Sequence, residues 1–183
     1  MSTDATGTGE ISAPWLAFLR EVDGMIEAPA EIHCIGAFAL MVLTGYPRPT
    51  GDVDFIDVIP DSARSRLRQI ASAGSDLAIK YGLHLHEVTI AEYPCDYGER
   101  LINLTPPTFR KLTVKVLEPH DLALTKLSRN SPKDRDDVRI LVERCQLDSE
   151  ILRKRFELEL RPYLMTAAEQ TILTLELWLE EFF

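Results

Sequence analysis

Asp52 and Asp54 stand one residue apart in the run Gly51-Asp52-Val53-Asp54-Phe55-Ile56-Asp57-Val58. The flanking valine, phenylalanine and isoleucine favour a strand. In a strand, residues two apart point to the same face, so the two carboxylates stand side by side with their Cα atoms about 7 Å apart. Like charges so close repel, and they are tolerated best in water or on a cation. The apolar flanks bury the strand, which disfavours a wholly solvated pair. The chemistry such a pair suits is the holding of divalent ions beside a polyphosphate. Short Asp-x-Asp matches are common, so a strand end with solvated acids is the alternative.

The elements that position these acids read directly from the preceding chain. Ile32 to Ile35 is a short buried strand ended by Gly36, and Ala37 to about Leu43 is an apolar helix stopped by Gly45 and Pro47. The loop from Tyr46 to Gly51 carries Arg48 and Thr50, and Val53 to Ile59 is the second strand. A glycine between a strand and a helix can turn backbone N–H groups and a helix N-terminus towards phosphate oxygens. One glycine alone is a weak signal, and a helix start with an unusual backbone explains it equally. Gly36 gains weight from lying sixteen residues before Asp52.

Elsewhere, residues 1–12 are rich in Gly, Ser and Thr and read as a disordered tail. Pro14 to about Ala28 is an amphipathic helix with Trp15, Phe18, Leu19, Val22 and Ile26 at helical spacing. Asp61 and Ser62 are N-cap candidates for a helix bearing Arg64, Arg66 and Arg68, which reads as a solvated face, with contact to an RNA substrate as the alternative; Ser75 can cap a second helix ending at Gly82. Leu83 to Ile90 is a third strand. Leu101 to Leu104 is a short edge strand, and Leu112 to Leu117 is a further strand. Pro119 opens a helix to about Arg129 with Lys126 inside it, and Ser131-Pro132 caps the next, to about Cys145. Two more helices follow Asp148, the last running from Ala167 to Phe183. The fold class is therefore α/β (α+β). It divides into a tail (1–12), a mixed α/β core with a small β-sheet flanked by helices (13–118), and a helical C-terminal region (119–183). His84 and His86 share a strand face, but no third ligand has suitable spacing, so they read as half-exposed edge histidines.

Composition narrows the setting. The chain has 183 residues and a formal net charge of -9, against a broad non-specific nucleic-acid footprint. Cys34, Cys95 and Cys145 fit neither a zinc site nor a disulfide framework, so a reducing, cytoplasmic location is expected. No signal peptide is read in the N-terminal stretch, and no apolar run approaches a membrane span.

Taken together, Gly36-Ala37-Phe38-Ala39, Gly45-Tyr46-Pro47-Arg48-Pro49-Thr50 and Asp52-Val53-Asp54 resemble the first motif of the DNA polymerase β-like nucleotidyltransferase superfamily. The AbiEii-like branch, which includes toxins of type IV toxin–antitoxin systems, is the most similar. Asp121-Leu122-Ala123-Leu124-Thr125-Lys126-Leu127 and Lys133-Asp134-Arg135-Asp136-Asp137 resemble its later helical motif. The resemblance implies a small mixed-sheet nucleotidyltransferase core and two Mg²⁺ ions held by Asp52, Asp54 and a third acid, for which Glu87 is the choice and Glu118 the runner-up. It implies an NTP bound by Gly36, Ala37, Arg48, Thr50 and Lys126, with Asp134 and Asp137 positioning either the Lys126 segment or the substrate. The implied acceptor is an RNA, such as a tRNA end, or a protein. The implied protein partners are an antitoxin-like chain or a second copy bound through the C-terminal helices. Ala37 departs from the pattern, which commonly has Gly or Ser there. It keeps the backbone donor and loses any hydroxyl, so a fold that binds without catalysis is the alternative function.

Overall fold

In the computed structural model of the chain, which describes residues 10–164 and 168–183, a five-stranded sheet is built around β1 (Ala30–Cys34). β1 pairs antiparallel with β2 (Asp52–Ile59) and parallel with β5 (Leu112–Val116). β3 (His84–Glu87) lies parallel to β2 at one edge, and β4 (Ile102–Asn103) lies antiparallel to β5 at the other. The strand order is β3-β2-β1-β5-β4.

Strand alternation gives this sheet two unlike faces. Ile32, Cys34, Val53, Phe55, Leu85, Val114 and Val116 fall on one face in register, and all are buried. Against it lie α1 (Ala13–Met25), which touches β5, and α3 (Arg64–Ala71) and α4 (Asp76–Tyr81), which touch β3. The other face carries Glu31, His33, Lys115, Asp52, Asp54, His84 and His86. Its centre is closed by a polar knot: Lys115 Nζ lies 2.9 Å from Glu31, whose other oxygen lies 2.8 Å from His33 Nε2, while His33 Nδ1 meets the Tyr97 hydroxyl at 3.1 Å. Burial, with help from the Asp57 charge, pushes the Tyr97 hydroxyl up to about 12.

α2 (Gly36–Thr44) is apolar nearly all round, as a helix buried on most sides must be. It ends on Gly45, left-handed at φ 66°, whose N–H reaches the Met41 carbonyl. Ser75 caps α4 by accepting from the Ala78 N–H, as its position suggests. The buried Asp23 of α1 accepts from the backbone N–H groups of Arg110, Lys111 and Leu112, which fixes where β5 begins.

The helical region comprises α5 (Pro119–Leu124), α6 (Pro132–Cys145), α7 (Ser149–Arg155) and α8 (Ala168–Phe182), with α7 running on into a wider-wound turn over Phe156–Leu160. A charged network binds it to the core. The buried Asp121 accepts from Arg100 and Arg155, Arg100 also reaches Glu159, and Glu118 accepts from Arg155 and His120. His120 Nε2 accepts from the Asp148 N–H, so Nδ1 carries the proton that bonds Glu118.

Several boundaries differ from those expected. Residues 1–9 of the expected tail lie outside the described residues, but Ile11 is buried in the core. β3 stops at Glu87, three residues short of Ile90, and Val88 gives its N–H to Phe55 before the chain leaves the sheet. The helix expected to reach Arg129 ends at Leu124. There the Thr125 hydroxyl donates back to the Leu122 carbonyl, and the Lys126 and Leu127 N–H groups bond three residues back instead of four. Lys126 therefore sits in a run of turns, not within a helix. All three cysteines are free.

Burial pushes the Glu118 carboxyl up, but hydrogen bonds and charge from His120 and Arg155 outweigh it and hold the group at about 2, against an ordinary 4.5. A depressed carboxyl stabilises the fold above its unfolded value and stops doing so as pH falls through the folded one. Denaturant titrations at stepped pH should therefore show stability falling from pH 4.5 towards 2, and Glu118→Gln should flatten that slope.

Candidate functional site

Asp54 of β2 and His86 of β3 are register partners, as are Asp52 and His84. Parallel pairing thus sets the two acids and His86 on the same face of adjoining strands. One oxygen from each of Asp52 and Asp54 and one nitrogen from His86 all lie within 4.8 Å of one another. His86 Nδ1 is 2.7 Å from Asp54 Oδ1. Thr50 donates its hydroxyl to the Asp52 carboxylate, so the loop before β2 aims that acid. Among the described residues neither acid has a Lys or Arg ion-pair partner.

Gly36 closes the floor of this group. Its φ is +71°, and a Cβ there would lie 2.3 Å from Asp54 Oδ2. Only a residue without a side chain lets the start of α2 come so near the carboxylate. The Ile35 N–H donates to the Asp54 carbonyl at 2.9 Å, tying the end of β1 to the same residue.

These residues line a cleft of about 440 Å³ that also has a cationic wall. Lys126 and Arg129 line it together with Gly36, Asp52, Asp54 and His86. Lys126 is only 3 % exposed, and its ammonium lies 2.7 Å from Asp137 and 3.7 Å from Asp134. Arg48 lies 2.8 Å from the other Asp137 oxygen and donates to the Lys133 carbonyl. Arg129 grips Asp134 through Nε at 2.7 Å and through Nη2, yet its side chain is 72 % exposed. Asp134 also completes a capping box with Ser131 at the start of α6. Burial pushes its carboxyl up, but the Arg129 and Ser131 hydrogen bonds, with the Lys126 charge, hold it at about 2. α8 braces this wall from behind: Trp178 Nε1 donates to Asn130 Oδ1 at 3.1 Å, where Asn130 turns the chain at φ 41°.

The residues present fit a divalent cation. Two unneutralised carboxylates and an imidazole converge, and glycine keeps their floor open. Glu92, also in the cleft, has a buried carboxylate oxygen with no hydrogen-bond partner, the mark of an acceptor awaiting a donor or cation.

Gly36, Asp52, Asp54 and Lys126 thus meet at one cleft, with Thr50 and Arg48 behind it. Ala37 follows Gly36 half-buried in the first turn of α2. Glu87 does not join them. It points to the opposite face of β3, where Arg64 and Arg68 of α3 pair with it; Arg64 also pairs with Asp61 and Asp57. Glu118 is bound in the network of His120 and Arg155. The third member of the group is His86, one residue away from the expected acid. Its signal was the shared face of His84 and His86, which lacked only the knowledge that β3 runs parallel to β2 in that register. Arg129 gave no spacing signal at all, because its place depends on the turns after α5.

Residues 17–177 match the family DUF6036, described as a nucleotidyltransferase of unknown function, and the chain belongs to that family. No curated protein matches it.

Gly36→Ala should push the added methyl group into the Asp54 carboxylate and spread the ligand set. Calorimetry is expected to show divalent-cation affinity falling by about tenfold or more, while the left-handed backbone costs about 1–2 kcal/mol of stability and the overlap with Asp54 adds to it. Lys126→Met should instead cost about 3–5 kcal/mol in denaturant unfolding, because it leaves buried carboxylates without their ammonium.

Proposed function

We propose that this protein is a metal-dependent nucleotidyltransferase that moves a nucleotidyl group from an NTP to a hydroxyl of an RNA, such as a tRNA end, or of a protein. The observation that carries the reading is the mixed lining of one cleft. Three side chains on the sheet that could hold a metal ion share it with an exposed arginine and a buried lysine. A nucleoside triphosphate complexed with a divalent cation has that distribution of charge. Membership of a nucleotidyltransferase family supports the same chemistry.

In this reading the acceptor oxygen attacks the α-phosphorus, the bond to the bridging α–β oxygen breaks, and pyrophosphate leaves. Asp52, Asp54 and His86 would hold the cation, which when bound would acidify the acceptor hydroxyl and offset charge on the α-phosphate. A second ion, expected from the resemblance, would come with the triphosphate. Gly36 and Ala37 turn backbone N–H groups towards phosphate oxygens. Arg129 presents its exposed guanidinium to the β- and γ-phosphates. Lys126, paired with Asp137 and Asp134, fixes the part of the wall that carries Arg129, and Arg48 keeps Asp137 in place. Thr50 holds Asp52 in its orientation. Positioning and electrostatics supply the rate, as in other phosphoryl transfers.

The resemblance to the AbiEii-like branch supports a toxin-like, cytoplasmic enzyme controlled by an antitoxin-like chain. Leu173 and Leu177 of α8 are exposed one helical turn apart and give such a partner, or a second copy, an apolar strip to cover. One observation favours a second reading, a fold that binds nucleotide without turnover: Ala37 supplies no hydroxyl beside the phosphates.

Incubation with labelled NTPs, a divalent cation, and either total RNA or the protein alone separates the two. The expected result is label in one acceptor, lost in Asp52→Ala and Asp54→Ala. Nucleotide binding without label would establish the second reading, and absence of both binding and label would sink both. Arg129→Ala should lower kcat/KM by about ten- to a hundredfold through weaker triphosphate binding.

A further inference from the structure

We infer that His86 makes this a site for a first-row transition cation, Mn²⁺ being the simplest occupant, in preference to Mg²⁺. The inference rests on the reading of Asp52, Asp54 and His86 as metal ligands and goes beyond it to the identity of the ion.

Mg²⁺ takes oxygen ligands in a near-ideal octahedron and keeps several waters. Carboxylates serve Mg²⁺ and Mn²⁺ alike; imidazole nitrogen suits the later first-row transition ions best, and Mn²⁺, the weakest-binding of that row, accepts it more readily than the oxygen-seeking Mg²⁺. The ligand set here is two carboxylates and one imidazole. Its nitrogen is not a chance neighbour. The pairing of Asp54 with His86 in parallel β-structure fixes their Cα atoms, and Nδ1 already lies 2.7 Å from Asp54 Oδ1. The three ligand atoms lie within 4.8 Å of one another, close enough for one ion to be shared, and the His86 side chain is half-exposed. The acid one residue further on is unavailable as a substitute oxygen donor. Glu87 faces the other side of the sheet and is neutralised by Arg64 and Arg68. The chain thus places nitrogen where an all-oxygen site would have a third carboxylate. The alternative role for His86 is as a hydrogen-bond donor that orients Asp54 and never touches the ion.

The test uses the full-length protein without nucleotide. Mn²⁺ binding is followed by electron paramagnetic resonance, with Mg²⁺ as competitor, for the parent chain and for His86→Asp. Mn²⁺ is expected to bind at least about tenfold more tightly than Mg²⁺, and His86→Asp to bring the two within about threefold. Pulsed resonance on the Mn²⁺-loaded parent should show nitrogen coupling from one ligated imidazole, a measurement that needs no variant to fold. Equal or tighter Mg²⁺ binding, or no nitrogen coupling, overturns the inference while leaving metal-dependent transfer standing. Absence of binding by either cation overturns both. A Mn²⁺ preference with nitrogen coupling but no label transfer to any acceptor supports the inference and removes the transfer reading alone.

Discussion

A buried ammonium has to be neutralised where it lies, and the arrangement of the helical half follows from how Lys126 meets that demand. Asp134 and Asp137, three residues apart at the start of α6, turn one face towards it. Their place requires α6 to begin at Pro132 with Ser131 as its cap. That in turn requires α5 to stop at Leu124, so that the intervening turns bring Lys126 inward and Arg129 back over Asp134. Asp137 serves two masters: its second oxygen faces Arg48, which sits in the loop leading to Asp52. Through that one carboxylate the cationic wall is tied to the element that aims the anionic one.

The sheet obeys a separate constraint, the alternation of its strands. Val53, Phe55 and Leu85 enter the core beneath α3, and the residues between them are thereby committed to the cleft. A one-residue slip of either strand would carry Asp52, Asp54 or His86 to the opposite face of the sheet. The two helical layers use charge differently as well. On the α3 side Arg64 and Arg68 are paired with Glu87, Asp57 and Asp61, and Arg66 bonds Gln69 and the Met25 carbonyl; the arginine that lines the cleft is Arg129, paired with Asp134 but largely exposed.

Most of this frame was legible in the residues. The Asp-x-Asp strand, the glycine before α2, the caps at Ser75 and Ser131 and the mixed sheet each carry a local signature that the structure repeats. What was not legible is long-range. The spacing of His84 and His86 shows no third ligand because pairing direction and register between β2 and β3 are set by packing, not by either strand's own sequence. Glu87 is the acid that the resemblance implies, and the parity of β3 sends it to the face of Arg64 and Arg68. The early end of α5 was hidden because Leu122, Leu124 and Leu127 remain compatible with a helical stripe, while the Thr125 hydroxyl and the pull of buried carboxylates decide against it. Arg129 depends on that same turn.

The oppositely charged walls of the cleft also bear on how it fills. A cation on the sheet side lowers the negative potential felt by any anion entering beside it, and an anion against Arg129 does the same for the cation. If the cleft takes both, as proposed, equilibrium binding of the two is coupled, and the coupling is reciprocal: whatever factor one ligand gains from the other, it returns. Such a cleft would be a charge-ordered socket that admits the paired ligand more readily than either half alone.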